Sequence, residues 1–139
     1  MKLKIKLEPD AYMPERAHPT DAGLDLKIPY NDIISGNGYL TIDTGVHIEM
    51  PHGYYGKIEG KSGLNVLHGI VSLGGVIDEG YTGSIVVKLY NQSRRDYKFL
   101  AGDKIAQLII QPYIAPEIEV VDSLDETDRG ENGFGSTGR

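Results

Sequence analysis

The chain has 139 residues, of which 40% are hydrophobic, and a formal net charge of −6. This length suits one domain with a real core and is too short for two substantial domains. The absence of Cys excludes disulfides, thiolate metal sites and a cysteine nucleophile, and it fits a reducing, cytoplasmic compartment. The negative charge argues against a broad basic face for nucleic acid but is compatible with a small phosphorylated ligand.

Strands are predicted along most of the chain. The segment from Met1 to Leu7 alternates apolar and basic residues, and it contains no apolar run long enough for a signal peptide or a membrane span. The other short apolar or alternating runs are bounded by Gly, Pro, Asn and Asp, which favour turns. These predicted strands are residues 24–28, 39–42, 45–50, 54–59, 70–73, 84–90, 104–111 and 118–121.

One short helix is predicted from Ser62 to Leu67, with Ser62 as its cap and Gly69 as its end. Many short strands separated by turn signals favour an all-β fold, a jelly-roll-like barrel or sandwich, over an α/β fold. We therefore assign residues 1–121 to a β-barrel domain. Residues 122–139 are acidic and then glycine-rich, which predicts a flexible C-terminal arm.

The segment from Gly74 to Val87 is predicted to be a central hairpin, with Asp78 where its first strand ends. Its apolar residues are mostly β-branched, as suits a half-buried pleated surface. The paired glycines at 74 and 75 remove side chains just before Asp78, so a planar ligand or another backbone can approach the main chain. The alternative is an ordinary hairpin whose Asp and glycines serve only the turn.

Three further stretches carry polar residues that strands alone do not require. Asp25 stands between two leucines and either holds a hydrated cation or faces solvent. Lys61, Ser62 and Gly63 combine a cation, a hydroxyl and main-chain amides, a combination that binds phosphate, although the first glycine of a P-loop is missing. Gln107 interrupts an apolar strand, so its amide either pairs within the core or reaches a ligand.

The predicted arm contains a single aromatic residue, Phe134, flanked by glycines. Arg129 precedes it, and Ser136 and Thr137 follow it. An aromatic ring with cations and hydroxyls on either side is suited to fold over a base and clasp phosphates as a lid. A plain flexible tail is the alternative.

Taken together and in this order, these stretches resemble the five motifs of the trimeric deoxyuridine triphosphatases, or dUTPases. The matching segments are residues 21–26, 60–64, 75–78 with Tyr81 and Gly83, 102–108, and 129–130 with 133–138. The resemblance implies a jelly-roll-like homotrimer in which three chains build each active site and the arm closes over a neighbour's site. It also implies hydrolysis of dUTP to dUMP and pyrophosphate, which keeps uracil out of DNA.

The resemblance further implies a role for each matching residue. Asp78 is the general base that orients and deprotonates the water attacking the α-phosphorus. Asp25 holds Mg²⁺ through water, while the triphosphate ligates the ion directly. Main chain reads the uracil edge, and Tyr81 packs beneath the deoxyribose. The other implied substrate-binding residues are Lys61, Ser62, Gly63, Gly75, Val76, Ile77, Gln107, Arg129, Phe134, Gly135 and Ser136.

Some residues depart from the family pattern, and two rival functions stay open. Lys61 stands where the family usually has Arg, so a point charge replaces a bidentate fork. A relative of the same fold deaminates dCTP. Some phage members also contact regulatory proteins, for which residues 31–39 or 122–128 are candidate surfaces. No nucleic-acid or membrane partner is predicted, and the four histidines are interpreted as structural or surface residues.

Overall fold

A computed structural model describes residues 1–138, and Arg139 lies outside the described residues. The strands are β1 (Lys4–Leu7), β2 (Gly23–Lys27), β3 (Asp32–Ile34), β4 (Tyr39–Glu49), β5 (Tyr54–Glu59), β6 (Ile70–Leu73), β7 (Val76–Ile77), β8 (Ser84–Asn91), β9 (Tyr97–Phe99) and β10 (Lys104–Pro112), and the helix α1 is Ser62–His68. Within residues 1–138, no helix has the length and apolar character needed to cross a membrane. The predicted all-β class with one short helix is confirmed.

Two antiparallel sheets of four strands form the body of the molecule. Sheet 1 has the order β1-β4-β8-β6 and sheet 2 has the order β2-β10-β5-β7, while β3 pairs separately with β9. Because side chains alternate along each strand, each sheet turns one apolar face inward. The two inner faces share one core, which includes Leu26 and Leu108 from sheet 2 and Ile42 and Leu89 from sheet 1. This sandwich is the predicted jelly-roll-like arrangement.

The predicted hairpin from Gly74 to Val87 is wrong. β7 pairs with β5 in sheet 2, whereas β8 pairs with β4 and β6 in sheet 1. The connection from residue 78 to residue 83 therefore passes from one sheet to the other. The apolar β-branched pattern identified both strands correctly, but such a pattern carries no information about which edge a strand will join.

Other element boundaries also differ from the prediction. The runs 39–42 and 45–50 form one strand, β4, whose pairing with β8 is irregular between Asp43 and His47. Gly45 has a φ of 66° at this point, which lets the chain bulge and continue as a strand. The short strands β3 and β9 were missed. Lys61, not Ser62, occupies the cap position of α1 and makes no side-chain cap hydrogen bond, while Gly69 ends the helix as predicted.

Residues 118–121 were predicted to be a strand and form none. Their alternation of Ile, Glu and Val is typical of a strand with one apolar face. Ile118 and Val120 are nevertheless 89% and 93% exposed, because no edge within the described chain pairs with them. Residues 113–138 contain neither strand nor helix, and the flexibility of the arm stays a prediction.

Candidate active site

Sheet 2 brings three predicted site residues together at one place. Asp25 in β2 lies opposite Gln107 in β10, which lies opposite Glu59 at the end of β5. Gly60 and Lys61 follow Glu59 directly, so the turn that leads into α1 returns towards Asp25. The register of three strands therefore places a carboxylate, an amide and a cation side by side.

Asp25 is buried, with only 3% of its surface exposed, so the solvent-facing alternative is wrong. Its Oδ1 accepts a hydrogen bond from Lys61 Nζ at 2.6 Å, and its Oδ2 lies 2.7 Å from Lys104 Nζ. Burial opposes the charged carboxylate, but the hydrogen bonds from Lys104 and Lys61 outweigh burial and hold the pKa of Asp25 below its ordinary value. Asp25 is therefore a carboxylate with both oxygens occupied by ammonium groups.

Gln107 is partly buried, and its side-chain amide bonds to the turn that follows β5. Its Nε2 donates a hydrogen bond to the main-chain oxygen of Gly60 at 3.0 Å. Its side chain lies directly against Gly23, where an added Cβ would approach Gln107 Oε1 to 2.3 Å. Gly23 therefore makes room for this amide, and the amide holds the turn that carries Lys61.

The turn after β7 places Asp78 at the surface. Its main-chain oxygen accepts a hydrogen bond from the Tyr81 amide at 3.0 Å, and its side chain is exposed. The turn borders a cleft of about 490 Å³, which is lined by Tyr55, Val76, Asp78, Glu79, Gly80 and Tyr113. An exposed carboxylate at the rim of an open cleft can reach a water molecule beside a bound ligand.

Gly75 lets β7 lie directly against β5. Its φ is 126°, and an added Cβ would lie 2.8 Å from both the Cβ and the carbonyl oxygen of Ile58. Its own oxygen accepts a hydrogen bond from the Ile58 amide at 2.7 Å. β7 is the last strand of sheet 2, so its outer main-chain groups have no strand partner in residues 1–138. They stay available to a ligand.

Tyr81 is held in one orientation by its own neighbours. Its hydroxyl donates a hydrogen bond to the main-chain oxygen of Ser84 at 2.8 Å. The ring covers Gly83, where an added Cβ would approach Tyr81 Oη to 2.5 Å. Tyr81 therefore offers a fixed, partly exposed aromatic surface beside Asp78, although its contact with a sugar stays a prediction.

Sequence reasoning missed Glu79, the residue after Asp78. Its carboxylate accepts hydrogen bonds from His52 Nδ1 at 2.7 Å, the Gly53 amide at 2.9 Å and Tyr113 Oη at 2.7 Å. These bonds, of which the bond from Tyr113 has the largest effect, lower the pKa of Glu79 to about 2. Its partners are 26 to 34 residues away in the chain, so no local pattern could have indicated them.

The arm residues do not join the other site residues within this chain. Arg129, Gly135 and Ser136 are exposed, and so is Phe134, which has a φ of 47°. Their hydrogen bonds are local, such as Arg129 Nε to the Asn132 oxygen at 2.9 Å. Ser62 and Gly63 are likewise exposed, at the first turn of α1.

Asp25 and Asp78 lie far apart within one chain. β2 and β7 are opposite edges of sheet 2, separated by three strand spacings, which is about 14 Å. Asp25 is level with Glu59 on β5, whereas Ile77 is level with Gly56, so Asp78 is displaced along the strands by about another 13 Å. One chain therefore presents two groups of predicted site residues, which we call half-sites, at opposite edges of one sheet.

A comparison with protein families assigns the chain to a known family. The family model described as dUTPase matches residues 10–138. The chain belongs to the dUTPase family. The predicted family is thus confirmed, and the match includes the segments around both half-sites and the arm.

Individual members of the dUTPase family agree closely with this chain. The deoxyuridine 5'-triphosphate nucleotidohydrolase of Gloeothece citriformis is 45% identical over 142 residues, which cover 99% of this chain and 97% of the relative. The enzyme of the same name from Eremothecium gossypii is 42% identical over 138 residues, covering 98% of this chain and 90% of the relative.

Solved structures of the dUTPase family share the fold. The Staphylococcus bacteriophage 80alpha dUTPase, solved with dUPNHPP, superposes with a TM-score of 0.93 at 30% identity, and the match covers 99% of each chain. A mutant dUTPase from phage phi11 of S. aureus, reported to reveal the coordination of a structural Mg(II) ion, has a TM-score of 0.83 at 28% identity, covering 88% of this chain and 98% of that one.

The side chains of this dUTPase-family member suit a magnesium ion that the protein holds through water and not through several direct ligands. Residues 1–138 contain no group of three or more His, Asp or Glu side chains that could hold a metal ion. A single buried carboxylate, Asp25, next to the ammonium groups of Lys61 and Lys104 suits an ion that keeps most of its waters and takes its other ligands from outside the protein. The donor set thus fits Mg²⁺ at Asp25 and does not fit an all-protein cage.

Proposed function

We propose that this chain hydrolyses dUTP to dUMP and pyrophosphate, with Asp78 as the general base that activates the attacking water. Family membership confirms the predicted enzyme class, a dUTP diphosphatase. The single observation that supports the mechanism is the exposed Asp78 carboxylate beside an edge strand and a cleft of about 490 Å³. A positioned carboxylate of this kind takes a proton from water as the water attacks phosphorus.

The edge strand β7 supports main-chain recognition of the base. The main chain of Gly75, Val76 and Ile77 offers donors and acceptors on the outer side of sheet 2, and uracil presents an acceptor, a donor and an acceptor along one edge. Cytosine reverses this pattern at its 4-position, which leaves polar groups unpaired and discriminates strongly. The ring of Tyr81 packs beneath the deoxyribose, where a ribose 2′-hydroxyl would meet it.

The half-site around Asp25 supports binding of the triphosphate. Lys61, Ser62 and Gln107 contact phosphate oxygens, and Gly63 leaves the main chain accessible. Asp25 would hold Mg²⁺ through water molecules. When bound, this ion gathers the phosphate chain and offsets charge that develops in the transition state. The arm completes the clamp through Arg129, Phe134, Gly135 and Ser136, with Phe134 stacked on uracil and Arg129 on the terminal phosphate.

A homotrimer brings the two half-sites together. The separation of Asp25 from Asp78 within one chain supports a site shared between subunits, in which one chain supplies Asp78 and its neighbour supplies Asp25. The linking segment carries the exposed side chains of Ile114, Ile118 and Val120, which a neighbouring chain would bury. Residues 1–121 are then the barrel, and residues 122–139 are the arm that closes over a neighbour's site and excludes water.

The relatives support the substrate and the metal in this proposal. The 80alpha dUTPase was solved with dUPNHPP, and the phi11 dUTPase is described with a structural Mg(II) ion. Phage dUTPases, of which the 80alpha protein is one, are reported to control transfer of virulence genes, which supports a second, regulatory role, and we propose protein binding as its basis. Capture of a regulatory protein by the Asp78→Asn variant would separate that role from turnover, because such binding cannot depend on catalysis.

The test measures pyrophosphate released from dUTP, dTTP, dCTP and UTP, with and without Mg²⁺. We expect efficient release from dUTP alone, and a decrease in kcat of about 10²- to 10⁴-fold for Asp78→Asn, because an amide cannot accept the proton. The matched control is Asp10→Asn, an exposed aspartate with a φ of 69° that Asn tolerates. Undiminished turnover by Asp78→Asn contradicts the mechanism, and ammonia release from dCTP would favour the deaminase alternative.

A further inference from the structure

The segment that carries the proposed sugar contact, residues 80–83, has few contacts that hold it in place. Residues 80–82 are exposed, and an added Cβ at Gly80 would meet no heavy atom within 4 Å. Among the hydrogen bonds of residues 1–138, one side chain from another element reaches the main chain of this segment. That side chain is His47 of β4, on the outer face of sheet 1.

The His47 ring bonds the main-chain oxygen of Thr82. Its Nδ1 lies 2.8 Å from that oxygen. A carbonyl oxygen can only accept, so Nδ1 carries a proton and donates the hydrogen bond. On the other side of the ring, Nε2 is buried and lies 3.0 Å from Glu8 Oε1 without a well-directed hydrogen bond. The directed bond of the ring is therefore the one to Thr82.

The bulge in β4 brings a second side chain to the same stretch of main chain. Asp43 is level with Val86 on β8. His47 is level with Ser84, so four steps along β4 correspond to two steps along β8. The Asp43 carboxylate accepts a hydrogen bond from the Ser84 hydroxyl. The two side chains of β4 therefore hold the main chain on either side of Gly83.

The ring of Tyr81 is packed against this main chain. Its hydroxyl donates a hydrogen bond to the Ser84 oxygen at 2.8 Å, and the ring covers Gly83 so closely that an added Cβ would approach Oη to 2.5 Å. The ring and residues 82–84 therefore form one packed unit. A shift of the Thr82 main chain shifts the aromatic surface that is proposed to lie beneath the deoxyribose.

The two ends of the connection between β7 and β8 are held from different sheets. Glu79 bonds the Asp78 end to the Gly53 amide and the Tyr113 hydroxyl, at the ends of β5 and β10 in sheet 2. His47 bonds the other end to β4 in sheet 1. Loss of the His47 bond therefore displaces the aromatic ring more than it displaces the carboxylate of Asp78.

We propose that His47 is a positioning residue for sugar discrimination, because its bond to Thr82 holds the Tyr81 ring where the ring excludes a ribose 2′-hydroxyl. This inference rests on the proposed function, in which that ring lies beneath the deoxyribose. A hydroxyl that meets a fixed ring must displace the ring or lose its own hydrogen bonds, and both costs disfavour the ribonucleotide. When the main chain can recede, this cost falls for UTP, whereas dUTP has no 2′-hydroxyl and is little affected.

The test compares two substitutions of the same histidine by their kcat/KM for dUTP and for UTP. Asn places its amide nitrogen near the position of histidine Nδ1, whereas Gln places it near Nε2, so only His47→Asn retains a donor to Thr82. We expect the ratio of kcat/KM for dUTP to that for UTP to fall about tenfold in His47→Gln and to stay within about threefold in His47→Asn. The kcat for dUTP should stay within about threefold in both variants.

The control variant is Lys6→Gln. Lys6 is level with His47 on β1, and its ammonium lies 3.4 Å from Glu8. Within residues 1–138 it makes no hydrogen bond to the segment 80–83. Lys6→Gln should therefore keep the sugar discrimination of the unmodified protein.

A second measurement needs no substrate. Hydrogen–deuterium exchange of the peptide spanning residues 79–85 reports how often this main chain opens. We expect exchange to be about tenfold faster in His47→Gln than in the unmodified protein, and unchanged in His47→Asn, because only His47→Gln loses the bond to Thr82.

Three results would overturn the proposal. One is unchanged sugar discrimination in His47→Gln, and another is an equal loss of discrimination in His47→Gln and His47→Asn. The third is equal exchange in His47→Gln and the unmodified protein, which would show that His47 does not hold Thr82. Failure of the unmodified protein to hydrolyse dUTP refutes the proposed function, whereas normal dUTP turnover with unchanged discrimination in His47→Gln refutes only the role of His47.

Discussion

At the scale of single residues, Glu79 holds the turn that carries Asp78, the general base of the proposed mechanism. It fastens the Asp78 turn to the Gly53 turn and to Tyr113, where the chain leaves β10. The Tyr113 amide also donates to the Gly53 oxygen at 3.1 Å, which closes the network. Because Glu79 is adjacent to Asp78, movement of one displaces the other.

We predict that Glu79→Gln lowers kcat several-fold with little change in KM, because Gln has one acceptor oxygen where Glu has two and the turn loses its hydrogen bond with His52, while the substrate contacts remain. Steady-state kinetics with dUTP test this, with Glu49→Gln on the exposed surface as the control. A change confined to KM would show that Glu79 acts on binding and not on the position of Asp78.

The lowered pKa of Glu79 also predicts how stability depends on pH. Its pKa falls from 4.5 to about 2 on folding, so its carboxylate stabilises the folded protein above pH 4.5 and loses that effect as pH falls towards 2. The unmodified protein should therefore lose more stability over this range than Glu79→Gln does. Urea unfolding at pH 6 and pH 3 measures the difference, and parallel losses in both proteins would contradict the assignment.

At the scale of elements, β7 depends on the close contact between Gly75 and Ile58. We predict that Gly75→Ala destabilises the protein by about 2 kcal/mol and lowers activity, because the new Cβ meets main chain that cannot move aside and the positive φ disfavours a side chain. The control is Gly80→Ala, where an added Cβ has no heavy atom within 4 Å. Thermal unfolding of both variants and dUTP turnover of Gly75→Ala test this. Equal unfolding temperatures of the two variants would show that the contact with Ile58 does not constrain β7.

At the scale of the whole molecule, the distance between the half-sites predicts complementation between inactive chains. Asp78→Asn and Asp25→Asn variants should each be nearly inactive. Refolding them together should restore up to about a quarter of normal activity, because a mixed trimer contains one junction with both native aspartates. Pyrophosphate release from the mixture measures this. A mixture as inactive as its components would place the whole site within one chain.

The arm provides a second prediction at this scale. Deleting residues 130–139 should leave a folded trimer with little activity, because the barrel is complete without the arm but the lid over the substrate is lost. Light scattering reports the assembly, and dUTP turnover reports the loss. A truncated protein with full activity would exclude the arm from the site.

The sequence alone determined the local features of this protein. The period-two alternation and the turn residues predicted most strands, because these patterns act over a few residues. The order of the five motif segments was sufficient to predict the family. Gly69 as the end of α1 was also predictable, since a left-handed residue after a helix favours glycine.

Only the tertiary structure decided which segments meet. It placed β7 and β8 in different sheets, left residues 118–121 without a strand partner among residues 1–138 and paired Asp25 with two lysines. It also brought Glu79 to Gly53 and Tyr113. Such contacts join residues tens of positions apart, and they depend on how two sheets pack over one core. Sequence patterns report which side chains avoid water, but they do not report which strand edge or which charged partner will be adjacent.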